Sequence, residues 1–379
     1  MRKFYKPLGI LRLALLVLTV GFLSTTKAQL SGSYTLDSTL ATGGTNFKTW
    51  ADFRSSIVTN GVSAAVTLNV ITNRVETAQI SFPAITGASA TNTITIKGNS
   101  MVLEADLTDA VILFDGVDYL TIDGLVIRNT SNSATTRGIR VQNESDNNTI
   151  KNNTIEFSAL TTTSTSGSAY ILFSTSTTSA TTSSSTNHGL NNVISGNLMR
   201  TTNSGSPGPA FGITIQGSSS SYTATAQNNT VSGNTIQNFY YMGIYMNNTN
   251  GNQILNNDIS RANATSYNSN STLLGIYSTY SYAANRATKI DGNNIHDLPY
   301  QGGTASNAPG TVYVTYFQYN YGNSTYRFSA SNNTLKDNKA NGYMYLCYGY
   351  YNYHMDLIGN LADNNDVPVS TSSSYFFYG

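Results

Sequence analysis

The stretch NNTVSGNTIQ (Asn228–Gln237) sets asparagine and glycine around isolated apolar residues, and the chain repeats the arrangement. NNTIKNNTIE starts at Asn147, NNVISGNLMR at Asn191, NQILNNDISR at Asn252 and TKIDGNNIHD at Thr288. The shared pattern is apolar-x-[Gly/Asn]-Asn-x-apolar. Its first apolar column reads Ile122, Ile150, Ile194, Val231, Ile254, Ile290, Ala330 and Leu357, and its second runs from Ile127 to Ala362. Two residues after the first column stand only Gly124, Asn152, Gly196, Gly233, Asn256, Gly292, Asn332 and Gly359. These are the residue types that best tolerate positive φ. The next column is Leu125, then Asn153, Asn197, Asn234, Asn257, Asn293, Asn333 and Asn360.

The asparagines of that last column recur at intervals of 23 to 44 residues. A fixed local motif on an irregular period marks a repeat architecture with a constant turn and variable loops. Each repeat also carries a further strand-like piece, such as RGIRVQ from Arg137, MGIYMN from Met242 or TVYVTY from Thr311. Strand, tight turn, strand, loop, strand predicts an all-β, right-handed parallel β-helix. Its rungs would stack at about 4.8 Å. Equivalent asparagines would then lie one above another, each amide donating to one neighbour and accepting from the other. Asn147 and Asn332, among others, also match the glycosylation sequon, but Asn and Thr are too common here for such matches to mean much.

VDYLTIDGLVIRN (Val117–Asn129) and the Asn-Asn-Thr-Ile-type segments resemble secreted bacterial proteins with right-handed parallel β-helix repeats, of the pectate-lyase-like superfamily. The resemblance covers roughly residues 60–379 and implies the fold. That superfamily includes lyases, hydrolases, adhesins and structural proteins, so it implies no single activity.

The two ends read differently. Residues 1–28 have the form of a cleaved export signal, with Arg2, Lys3, Lys6 and Arg12 ahead of the apolar run Leu13–Leu23 and a small-x-small site at Thr26–Ala28. That run is too short to span a membrane comfortably. Its removal takes five basic residues and no acid from a chain of formal net charge +1, leaving an acidic product. Nucleic acid and anionic membrane are therefore not expected partners. The one cysteine, Cys347, precludes an internal disulfide. Residues 29–64 read as an N-terminal cap. In it, Asn46–Gly61 is a helix with Phe47, Trp50, Phe53 and Ile57 on one face, Asn46 as N-cap and Asn60–Gly61 as its end. Residues 65–379 read as rungs, and they stop within the apolar segment SYFFYG. A bare final rung invites aggregation, so further domains are expected after it.

Chemistry on such a fold needs grouped residues. The outward column Arg128, Glu156, Arg200, Gln237, Ser260, His296, Lys336, Asp363 holds only two acids, far apart. Asp123 and Asp291 share a second column but lie five rungs apart, about 24 Å, beyond the reach of a carboxylate pair acting on one glycosidic bond. The densest acidic group is Asp115, Asp118 and Asp123, followed by Arg128, Arg137 and Arg140. It reads either as a Ca²⁺ or uronate site or as turn chemistry, since Asp-Gly is a common turn pair. His296 and Asp297 are adjacent, and adjacent strand residues face opposite ways, so no dyad is expected. His188 and His354 have no ligand partner at a recognisable spacing. Ser158–Ser168 and Ser174–Gly189 read as solvated Ser/Thr loops.

Most of the 26 tyrosines follow residue 238. Aligning the third strand on its core residues puts Tyr245, Tyr277 and Tyr313 in one outward column, with Tyr280 and Tyr316 in another. Tyrosine offers an apolar ring and a hydroxyl, a combination suited to sugars and protein partners. The same rings would also serve as same-face stacking within the sheet. Two functions follow. One is a secreted or cell-surface adhesin or polysaccharide-binding module without catalysis, contacting an extracellular polysaccharide or cell-surface glycan and needing no cofactor. The other is a polysaccharide lyase or glycoside hydrolase using the group around Asp115, with Ca²⁺ only in the lyase case.

Overall fold

The computed structural model describes residues 28–378 apart from 162, 184–188, 204, 219–225, 262–271, 299–309, 341 and 368–372. The predicted export signal, apart from Ala28, and His188 lie outside the described residues. Three long sheets of 12, 10 and 10 strands dominate, with parallel pairing between all their neighbouring strands. One rung visits each sheet in turn, as in Thr149–Lys151 (sheet 1), Thr154–Phe157 (sheet 2) and Ala169–Phe173 (sheet 3), before returning to sheet 1 at Val193–Ser195. This is the solenoid that the repeat predicts.

The turn from sheet 1 to sheet 2 is fixed by backbone geometry. Its Gly/Asn column is left-handed throughout, from Gly124 (φ 73°) and Asn152 (φ 54°) to Asn332 (φ 55°) and Gly359 (φ 64°). A branched residue there would clash with its own backbone. The following asparagines point inward and are nearly inaccessible between Asn153 and Asn333. Asn234 shows the repeating unit. Its Nδ2 donates to Asn257 Oδ1 (2.9 Å) and to the Ile194 carbonyl (3.0 Å), while its Oδ1 accepts from the Asn197 backbone N–H (3.0 Å) and amide (2.9 Å). The same bonds recur from Asn153 through Asn197, Asn257, Asn293 and Asn333 to Asn360. Buried amides kept fully paired avoid the penalty of an unmade bond, about 1–3 kcal/mol each.

A second ladder escaped sequence reasoning. Asn148, Asn192, Asn229 and Asn252 enter sheet 1 and bond rung to rung through backbone N–H and Oδ1 at 2.8–2.9 Å. Its signal was present, two residues before Ile150, Ile194, Val231 and Ile254 in each repeat.

The core is the stack of inward Ile, Val, Leu and Phe along the axis. At the N-terminal end the helix Trp50–Asn60 covers it, burying Trp50, Phe53 and Ile57. The N-cap is Thr49 and not Asn46. Thr49 forms a reciprocal capping box with Asp52, whereas Asn46 lies in a short strand and accepts from the Thr35 hydroxyl. At the other end Leu357 and Phe377 continue inward columns and are exposed.

Candidate binding surface

Sheet 3 carries the tyrosines, and its strands break strict alternation. Leu273 and Ile276 face the core, while Leu274 and Tyr277 pack on the outside. Outward side chains are therefore three residues apart. Pairing skips Gly243 and Gly275: Met242 pairs with Leu274 and Ile244 with Ile276. A Cβ on Gly243 would sit 2.5 Å from the Gly275 carbonyl oxygen, so glycine permits the break in this rung. Val314 takes the place of Gly275 in the next rung.

This break corrects the predicted columns. Tyr277 pairs with Tyr316, not with Tyr313, and the column runs Tyr245, Tyr277, Tyr316, Tyr348, Tyr378. Tyr313 belongs beside Leu274 in a parallel column that continues to Tyr345 and Tyr375. Tyr280 stacks on Tyr319, not on Tyr316, and Tyr319 on Tyr351. The expected alignment equated Tyr313, between inward Val312 and Val314, with Tyr245, between inward Ile244 and Met246, whereas the register carries Ile244 through Ile276 to Thr315. That equivalence holds only for unbroken alternation.

Burial grades along the sheet. Tyr245 is 6% exposed and belongs to a small apolar cluster with Phe211, Leu172 and Ala180. It cannot touch a ligand in this structure. Ala180 comes from the Ser/Thr-rich segment that reads as a solvated loop. The described part of that segment instead packs over the outer face, the Ala180 N–H donating to the Ser166 carbonyl (2.6 Å) of the other Ser/Thr-rich segment, which Arg137 Nε anchors at the Gly167 carbonyl (3.1 Å). Further along the axis no segment among the described residues covers the face, and Tyr343, Tyr351 and Tyr378 are roughly half exposed.

The open rings form stacks. Tyr277–Tyr316 centroids lie 4.7 Å apart with planes at 18°, Tyr313–Tyr345 4.9 Å at 10°, and Tyr345–Tyr375 5.1 Å at 9°. Tyr348 turns crosswise, at 86° to Tyr316, and Tyr378 follows it. Rings stacked along the axis cover one another's faces, and the Tyr277 hydroxyl donates to Gln318 Oε1 (2.6 Å). Burial, reinforced by neighbouring phenols, raises the pKa of Tyr277, Tyr313, Tyr316, Tyr345 and Tyr348. The hydroxyls are therefore neutral, each a donor and an acceptor. Tyr280, Tyr319 and Tyr351 have φ of 46°, 51° and 51°, where the corresponding turn after Met242–Asn247 has Asn248 (φ 51°). A bulky side chain is disfavoured there. Backbone strain of this kind gathers at functional surfaces.

The acidic group does not converge. Asp115 ends a sheet 3 strand and accepts from Gln142 (2.9 Å) and Asn143 (2.6 Å). Asp118 caps a turn by accepting from the Asp146 N–H (2.7 Å). Asp123 ends a sheet 1 strand and holds Asn152 (2.8 Å) and Lys151 (3.4 Å). Arg128 stands on sheet 2 in a charge ladder, Glu104–Arg128–Glu156–Arg200, with contacts of 2.6–3.1 Å. Each of these side chains is committed to a neighbour on its own sheet or turn, so Asp115, Asp118 and Asp123 make no cage for Ca²⁺. Asp109, which sequence reasoning passed over, bonds both Arg137 (2.7 Å) and Arg140 (2.8 Å).

His296 corrects another expectation. It sits between Asp258 on the preceding rung (Nε2, 2.6 Å) and its own neighbour Asp297 (Nδ1, 2.7 Å). Alternation fails because the strand ends at His296, and Asp297 turns left-handed at φ 53°. The Asp258 hydrogen bond, opposed by burial and aided by Asp297, raises the His296 pKa.

The family described as "Protein of unknown function (DUF1565)" matches residues 78–236. No curated protein matches the chain in sequence. Among solved structures, the GH136 lacto-N-biosidase from Eubacterium ramulus is similar over 89% of this chain and 68% of its own, at 11% identity and a TM-score of 0.51. The alginate lyase from Paenibacillus sp. str. FPU-7 covers 83% of this chain and 97% of its own, at 15% identity and TM-score 0.40. PfbA, a surface adhesin of Streptococcus pneumoniae, covers 86% and 88% at 11% and 0.39. Likeness at such identity extends to fold alone. With three parallel sheets wound rung over rung around an asparagine ladder, the chain is a right-handed parallel β-helix.

Proposed function

We propose that this is an exported surface module that binds an extracellular polysaccharide or cell-surface glycan without cleaving it. The contact is the outer face of sheet 3 from Tyr277 onward. One observation carries the reading: stacked, protonated tyrosines in adjoining columns, about half exposed at Tyr343, Tyr351 and Tyr378. Such a face offers apolar edges and neutral hydrogen-bonding groups together, which suits the mixed surface of a sugar. A contiguous bare aromatic patch on a soluble chain marks an interaction site. The scattered, internally paired carboxylates supply no acid–base pair beside that face.

The test is to incubate the purified protein with immobilised polysaccharides and read bound protein and new chain ends from the same wells. Binding without new ends is expected. Replacing Tyr348 and Tyr351 together with Ala should weaken it at least tenfold, about 1.4 kcal/mol, with an unchanged far-UV spectrum. New chain ends, or binding indifferent to the double replacement, would overturn the reading.

A further inference from the structure

Charge is segregated along each repeat. Residues 262–285, 298–326, 340–353 and 367–379, which contain the successive passages through sheet 3, hold no Asp, Glu, Lys or Arg. The segment 201–257 is equally free of them. The charged residues of this half stand instead on or beside sheets 1 and 2, as with Lys289, Asp291, Lys336 and Asp363. Arg327, just beyond one charge-free passage, is engaged by Asp356 through two nitrogens. From Met242 onward the outer columns of sheet 3 therefore present Tyr, Thr and Asn hydrogen-bonding groups with no cation among them, while Arg137 and Arg140, earlier in the same columns, are buried on Asp109.

From this segregation we infer that the ligand is a neutral glycan, lying along the solenoid axis and meeting the same side chains once per rung. The inference rests on the polysaccharide-binding reading and narrows it. A uronate or sulfate pressed onto this face loses hydration and finds no cation in return, a penalty that neutral hydroxyls escape. The axial direction follows from the columns, whose chemistry repeats at about 4.8 Å along the axis. Across the sheet the outward neighbour changes from rung to rung, Leu274 beside Tyr277 but Tyr313 beside Tyr316 at 5.0 Å, whereas along the axis Tyr277 is followed by Tyr316, Tyr348 and Tyr378.

The experiment is calorimetric titration of the full chain with xylo-oligosaccharides and oligogalacturonates of matched lengths, at low and high salt. The neutral series should tighten at least tenfold from disaccharide to pentasaccharide and ignore salt. The uronate series should bind at least tenfold more weakly. Tyr351→Arg should recruit uronates in a salt-sensitive manner, showing that the missing cation sets the preference. Tighter uronate binding by the parent chain, or neutral binding that does not grow with length, would overturn the inference and leave polysaccharide binding standing. Failure of every oligosaccharide and every immobilised polysaccharide would remove both.

Discussion

Asp297 places its carboxylate 2.7 Å from Nδ1 of His296, the residue directly before it, while Asp258 holds Nε2 from the rung below. Two carboxylates on one ring favour the imidazolium in the folded chain. Its contribution to stability is full below the ordinary histidine pKa of about 6.5 and is lost as pH rises through the elevated folded value. Asp258 is half exposed, so the contribution is about 1 kcal/mol. His296→Gln should lower the urea midpoint at acidic pH and match the parent at alkaline pH. A deficit that persists undiminished at alkaline pH would assign His296 a packing role instead.

Glu156 gives the opposite slope. Burial would raise its pKa, but hydrogen bonds from Arg200 and Arg128 outweigh burial and hold it below the usual range. Its contribution is present above the unfolded carboxylate pKa and fades as pH falls through the folded one. Glu156→Gln should cost about 1–2 kcal/mol near neutrality, since both arginines are partly open to water. The difference from the parent should shrink in acid. Denaturant melts at two pH values decide this.

Asn234→Ala removes an amide that is bonded above, below and to the Ile194 carbonyl. The buried partners left behind should make the loss about 3 kcal/mol. Asn360→Ala should cost less, because Asn360 is only partly buried and, lacking the donation to a further asparagine that Asn234 makes, bonds only the Ala330 carbonyl and the Asn333 N–H and amide. Equal losses at the two positions would contradict the ladder as a source of stability.

How much of this was legible in the sequence follows from what each column demands. Positive φ admits few residue types, and a buried amide must pair, so the Gly/Asn turn and the ladder stand out as invariant columns from Asn153 to Asn360. Outward tyrosines obey no such constraint. Their columns depend on where alternation breaks, and the break at Gly243 and Gly275 is marked by glycine only until Val314 replaces it. Asp297 misled for a related reason: the end of a strand is not visible in residue type. The cover over Tyr245 was hidden too, since Ser/Thr-rich composition does not say whether a loop packs.

Tyr319 separates folding from binding. At φ 51° its backbone would sit more easily with asparagine, as at Asn248, by about 1 kcal/mol. Loss of stacking on Tyr280 and Tyr351 offsets that by a similar amount. Tyr319→Asn should therefore leave the urea midpoint nearly unchanged while weakening glycan binding several-fold. Unchanged binding would place the contact surface elsewhere on the face.

The inward amide ladder has one more consequence. Vertical alignment of the rungs is enforced from within, by groups that never reach the surface. The outer columns are thereby left less constrained in keeping strands in step. Substitution, or duplication of a whole rung, can rewrite what this solenoid displays while its winding stays the same.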